Sequence, residues 1–161
     1  MNAPEIIIPT MAGTPFGGGI YAGRFAIAAQ LYGLVVAPAD VGELAATKWG
    51  RLKKVAGALS YNDGDANTQA MAKAGSALGK WAQGLRIEGF GDWYLPSRLE
   101  ALILFGELQD KDAFKRAWYW TSTQYAGDDA SAWVQSFDYG YQLRNRKNDQ
   151  LRARAVRRLI L

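Results

Sequence analysis

Any chemistry this chain performs must be done without two of the most versatile catalytic groups, since neither histidine nor cysteine occurs among its 161 residues. Their absence removes thiolate and imidazole metal ligands, cysteine nucleophiles and the Ser-His-Asp relay. A metal site could use only oxygen ligands, the set suited to calcium or magnesium. Asn62-Asp63-Gly64-Asp65-Ala66-Asn67 superficially resembles a calcium loop. An EF-hand starting at Asp63 would need Gly and Glu where the chain has Thr68 and Ala74. A turn that caps a helix accounts for it better. Asp128, Asp129 and Asp138 could ligate a hard cation, but adjacent side chains rarely converge on one ion without further oxygens. Asp128 and Asp138 are also the only pair on offer for glycosidase chemistry, and then by elimination. No catalytic residue, metal site or cofactor is therefore assigned, and no enzymatic activity is expected.

Binding is better represented. Tyr125, Tyr139 and Tyr141 fall in expected turns, beside Gln142, Arg144, Arg146 and Asn148, with Asn145 and Lys147 extending the same surface. Turn tyrosines among arginines and asparagines give rigid contact area with adaptable hydrogen bonding, the chemistry that paratopes use. These seven are the candidate ligand-binding residues. The cations concentrate nearby: from residue 139 onward, seven Lys and Arg face one acid, Asp149, within a net charge of +4. Nucleic acid is the rival reading. The aromatics do not follow the RNA-binding sheet motif and no helix is basic enough to enter a groove, so no nucleic-acid partner is expected. Trp49, Arg51, Lys53 and Lys54 could make a basic aromatic patch, although a solvated helix face reads better. Gly17-Gly18-Gly19 lacks the Gly-Lys-Ser/Thr that makes a phosphate loop.

The elements that must position these residues can be read from spacing. Residues 1–19 hold three of the five prolines and the triple glycine, and predict an extended arm; residues 20–161 form one domain. Residues 20–28 and 31–37 predict a hairpin. Residues 68–85 show helical spacing. Pro96, Ser97 and Glu100 form a stop and a capping box that start a helix ending near 106–108, its buried face Leu99, Leu102, Ile103 and Leu108. Asp110-Lys111-Asp112 is a polar break. Trp118 and Trp120, then Trp133, Gln135 and Phe137, alternate as strands, and Trp93, Trp118, Trp120, Trp133 and Phe137 are expected in the core. Tyr139-Gly140-Tyr141 is a hairpin turn, and residues 151–159 a closing strand. Helices set inside a flank of antiparallel strands predict an α+β fold. No segment is apolar over the ~20 residues a membrane span needs, so no insertion is expected. Residues 1–9 carry no Lys or Arg, and Ile6-Ile7-Ile8 is too short for a signal-peptide core, which predicts a cytoplasmic origin.

Four motifs together resemble a known family: Asp92-Trp93-Tyr94-Leu95-Pro96-Ser97 with Glu100, Tyr119-Trp120-Thr121-Ser122-Thr123, Ala132-Trp133 with Phe137, and Arg152-Ala153-Arg154-Ala155-Val156-Arg157. They are similar to the Lcl C-terminal-like domains of the C-type lectin-like superfamily, over roughly residues 17–161. Tyr94 stands where that pattern usually has Arg. The single-domain format and the Arg-rich ending look most like phage members. The resemblance implies a C-type lectin-like fold of short antiparallel strands, two flanking helices and paired terminal strands. It implies that Arg154 pairs with a carboxylate such as Asp92 or Glu100. The Glu-Pro-Asn and Trp-Asn-Asp tripeptides of calcium-dependent lectins do not occur, and formylglycine chemistry lacks its cysteine. The function implied is that of a non-enzymatic virion protein of a tail or tail fibre, assembled in the host cytoplasm. It would recognise a bacterial surface glycan or protein receptor. The alternative is a structural or decoration module that docks on other virion proteins through its N-terminal arm. Either role is compatible with a homo-oligomer.

Overall fold

The computed structural model describes residues 1–108 and 112–161. Asp110 and Lys111 of the expected polar break lie outside them. Residues 1–12 run without regular structure. The chain then enters β1 (Pro15–Phe16), β2 (Gly19–Ile27) and β3 (Gln30–Val36), a short α1 (Ala39–Gly42) and β4 (Glu43–Thr47). Three helices follow, α2 (Gly64–Lys73), α3 (Ala77–Gly84) and α4 (Arg98–Leu108). The last third holds β5 (Trp118–Gln124), β6 (Ser131–Ser136), β7 (Gln142–Arg146), β8 (Leu151–Arg154) and β9 (Val156–Ile160). The fold is mixed α+β, with two sheets ordered β1-β2-β3-β9 and β4-β8-β5-β6-β7.

The expected hairpin is β2–β3, closed by Ala28 and Ala29, both at positive φ (46° and 70°). The arm is shorter than expected. Gly13 N donates to Tyr21 O and Tyr21 N to Thr14 O, both at 2.9 Å, so β1 is sewn onto β2 and only residues before 13 stand off the sheet.

Residues 68–85 are two helices instead of one. Gly75 sits at φ +93° and ends the first. Ser76 starts the second, its Oγ accepting from Gly79 N at 3.2 Å while donating to Trp49 O at 2.7 Å. Asp63 caps α2 by accepting from Ala66 N at 3.0 Å, as the turn reading predicts. The capping box also holds, with Ser97 N donating to Glu100 Oε1 and Glu100 N to Ser97 Oγ, at 3.1 and 3.2 Å. The inner face of α4 differs from expectation: Ala101, Leu104 and Leu108 are buried with Glu100, while Leu99, Leu102 and Ile103 are half-covered. Apolar side chains fall on every side of this helix, so its pattern does not single out a face.

The closing strand is likewise two strands, each in a different sheet. The switch falls at Ala155, whose amide donates to Gly42 O and whose carbonyl accepts from Ala37 N, both at 2.9 Å. Val156 then exchanges both main-chain bonds with Tyr94 at 2.8 Å. β8 thus lies beside β4 and β5, and β9 pairs with β3. Two main cores result. One gathers Trp49, Met71, Leu78, Trp120 and Val134 between the larger sheet and α2 and α3. The other gathers Phe25, Leu34, Leu104, Tyr119 and Phe137 around α4.

Arg154 does not pair with Asp92 or Glu100. It donates to Ala37 O at 2.6 Å and Ala113 O at 2.8 Å, and lies 3.7 Å from Glu43. Asp92 takes Arg157 instead, in a two-pronged contact at 2.7 and 3.1 Å. Because the backbone changes sheets at Ala155, a single strand parity cannot be carried from residue 152 to 158. Residues 48–54 are not a helix. Trp49 is fully buried, its indole N–H donating to Thr121 O at 2.9 Å, while Arg51, Lys53 and Lys54 are exposed on a loop.

Candidate functional site

The turn from β6 to β7 is fixed by side chains beneath it. Ser136 Oγ accepts from the amides of Asp138 and Tyr139 at 3.3 and 2.9 Å, and its carbonyl accepts from Gly140 N at 3.1 Å. Buried Gln135 donates to Gly140 O at 2.9 Å. Gly140 adopts φ +89°, and a Cβ there would strike the Phe105 ring, so glycine is required on two counts. On this rigid tip Tyr139 and Tyr141 stack with ring centroids 6.0 Å apart and planes 10° from parallel. Trp118 braces Tyr141 edge-on at 5.7 Å. The two tyrosines remain 71% and 52% exposed, and Leu143 beside them is exposed as well. A contiguous apolar surface of this kind, rimmed by polar groups, marks interaction sites.

Strand alternation sends Gln142 and Arg144 to the opposite face of the sheet. There Trp133 is paired with Arg144 and Gln135 with Gln142. Arg98, from the first turn of α4, lays its guanidinium 3.6 Å from the Trp133 ring centre and 5.3 Å from that of Tyr61. Gln142 holds it by accepting from Arg98 Nε and donating to Arg98 O, both at 2.9 Å. Tyr125 packs edge-on against Trp133 at 5.3 Å, and its hydroxyl accepts from Arg144 at 2.9 Å. The seven expected ligand residues therefore do not converge. Tyr139 and Tyr141 share one platform. Tyr125, Gln142 and Arg144 join a cation–aromatic network behind it. Arg146 is exposed at the end of β7, and Asn148 stands beyond, on the wall of a separate cleft.

Lys147, expected on the surface, is fully buried. Its Nζ donates to Lys53 O at 2.6 Å, Gln124 Oε1 at 2.5 Å and Asp129 O at 2.7 Å, above the Trp49 ring at 4.6 Å. Burial pulls its ammonium down to about 8, against the opposing pull of Asp129 and Asp128. Gln124 completes the clasp, accepting from Val55 N at 2.7 Å and donating to Val55 O at 3.2 Å. Neither clasp residue is visible in a pattern that marks charge as surface.

Glu100 is another buried ionisable group. Burial raises its carboxyl to about 7, although it accepts from Gly64 N at 2.9 Å, from Ser97 N and from the Tyr94 hydroxyl. Its partners are all structural: it caps α4 and ties the start of α2 to Tyr94, which bridges to Val156. Among the described residues no group of three or more acidic side chains comes together as a metal site, and no helix is long and apolar enough to cross a membrane.

The geometry shows which motifs act together. The Asp92-to-Glu100 segment, β5, β6 and the Arg-rich end form one connected framework, the same segments that carry the family pattern. The family model for the Lcl C-terminal domain matches residues 44–157. The chain belongs to that family. The Lcl C-terminal domain match opens in β4 and closes in β9, so the β1–β3 hairpin precedes it. It also takes in residues 44–66, which hold most of β4 and the clasped loop. Comparison with curated proteins gives no match.

Proposed function

We propose that this Lcl C-terminal domain is a non-enzymatic recognition protein of a phage virion, of a tail or tail fibre, that binds a bacterial surface receptor through the Tyr139–Tyr141 platform. One observation carries the reading: two stacked tyrosines stand exposed on a turn held rigid by Ser136, Gln135 and Gly140. Stacked, pre-ordered rings present apolar faces and hydroxyl rims to a sugar ring or a protein side chain at little entropic cost. Trp118 and Leu143 enlarge the platform, and Tyr125, Arg144 and Arg98 stiffen the sheet behind it. The finer fold class, C-type lectin-like, belongs to the same proposal. It is supported by the pairing of the first long hairpin with the last strand through β3 and β9.

Binding of the purified domain to susceptible bacterial cells and to a glycan array tests the reading. Tyr139→Ala/Tyr141→Ala should weaken binding at least about tenfold, the size of two lost aromatic contacts. Unchanged binding would remove the platform from the proposal.

A second reading rests on another exposed apolar group. Ile6, Ile7 and Met11 project from the N-terminal arm, as an assembly module docking on neighbouring virion proteins would require. Deleting residues 2–9 leaves β1 intact and separates the two. Particles that lose the protein support assembly, and particles that keep it but fail to adsorb support receptor binding.

A further inference from the structure

Residues 48–55, a loop where a solvated helix face was expected, line one side of a cleft. Lys48, Arg51, Lys53 and Lys54 line a space of about 710 Å³ with Ser76 and Asn148, and no carboxylate lines it. All four cations are exposed, and none makes an ion pair with a carboxylate among the described residues. A fifth positive charge, the Lys147 ammonium, sits beneath the loop and bonds only to neutral acceptors.

Such a cluster on a floppy loop would mean little. This loop is fastened along its length. Trp49 N donates to Lys147 O at 2.9 Å, Ser76 Oγ to Trp49 O at 2.7 Å, and Val55 N to Gln124 Oε1 at 2.7 Å. The backbone that carries the cations is therefore preset, so their stems start from fixed positions around the cleft and an anion entering it meets several of them at once.

The chemistry of the anion follows from the donors and the space. Three of the four are lysines, point charges that reach a tetrahedral phosphate from any side, and Arg51 adds a fork whose geometry also matches phosphate oxygens. The cleft falls within the roughly 300–1,000 Å³ of small-molecule sites and far exceeds one tetrahedral group. Four separate arms around that space suit several linked anionic groups. We propose that this cleft binds a small ligand carrying two or more linked phosphates, such as a nucleoside polyphosphate or inorganic polyphosphate. It shares no lining residue with the Tyr139–Tyr141 platform and stands independently of the receptor-binding reading.

The test is calorimetric titration of the full chain with tripolyphosphate, with ATP and with sulfate at matched ionic strength, repeated on Arg51→Ala/Lys53→Ala/Lys54→Ala. These side chains are exposed, and Lys147 bonds to the main chain of Lys53, so the variant should melt as the wild type does without ligand. The expected result is saturable one-to-one binding of tripolyphosphate, weakened at least about tenfold in the variant, with sulfate unable to compete. ATP binding more tightly than tripolyphosphate assigns the nucleotide source, and weaker or equal binding assigns polyphosphate. Absence of saturable binding, an unaffected variant, or equal competition by sulfate would overturn the site. A single-stranded oligonucleotide binding more tightly than either probe would overturn its assignment to a small ligand.

Discussion

Glu100 shows how a residue chosen by a capping pattern acquires a second property from its surroundings. The motif places its carboxylate over the amide of Ser97, and the fold then closes Gly64 and Tyr94 around it until no water reaches it. Burial outweighs the three donors and raises the carboxyl to about 7, from an ordinary value near 4.5. The unfolded chain therefore loses this proton first as pH rises. Between about 4.5 and 7 the folded state binds more protons, so stability falls with pH across that window and is level with respect to this group on either side. Glu100→Gln keeps acceptors for Gly64 and Ser97 and removes the titration. Denaturant melts from pH 4 to 8 should show a decline in the wild type that is flattened in the variant. An equal decline in both would assign the pH dependence to other groups. Lys147 is the converse case: a cation satisfied by carbonyls and an amide oxygen, whose position in a basic run disguises it as surface.

At the scale of elements, the β2–β3 turn carries a cost that its sequence does not advertise. Ala28 and Ala29 both adopt left-handed backbone, where residues with a Cβ are disfavoured and Asn-Gly is the usual choice. Ala28→Asn/Ala29→Gly should stabilise the protein by about 1 kcal/mol, raising the melting temperature by roughly 2–4 °C. A lower melting temperature would show that the alanine methyls make contacts worth more than the backbone strain. The hairpin itself was legible because β-branched and aromatic runs flank a short break. The capping box, the Asp63 turn and the β5 and β6 strands were legible for similar local reasons. The two-helix break at Gly75 and the sheet change at Ala155 were not, since each is decided by a distant partner: Trp49 O for Ser76, and Gly42 O and Ala37 N for Ala155. The candidate site was half legible. Exposure of Tyr139 and Tyr141 follows from a turn next to glycine, but the parity of β7 and the capture of Gln142 by Arg98 depend on α4 packing across the sheet. The basic run from Lys48 to Lys54 was visible as charge, while the loop that makes it a cleft depends on Gln124 and Lys147, about seventy and ninety residues downstream.

For the molecule as a whole, the division of surfaces is the main result. β8 and β9 run on from each other yet belong to different sheets, so the C-terminal segment joins the two layers, as α1 does between β3 and β4. Its arginines are largely committed to this joint: Arg154 to Ala37 and Ala113, Arg157 to Asp92, Arg158 to Asp63 at 2.8 Å. The cationic C-terminal stretch is therefore mostly architecture, whereas the loop from Lys48 to Lys54 carries four exposed cations around one cleft. Recognition of a receptor, on this account, belongs to the edge of the larger sheet, where the β6–β7 turn lifts Tyr139 and Tyr141 clear of the body. The measurement that tests this most directly is adsorption to host cells of particles carrying Tyr139→Ala/Tyr141→Ala, beside particles carrying Arg144→Ala. The account predicts that the tyrosine variant assembles normally and loses adsorption, while the arginine variant, altered behind the platform, retains it. Normal adsorption by the tyrosine variant, or its loss in the arginine variant alone, would contradict the account.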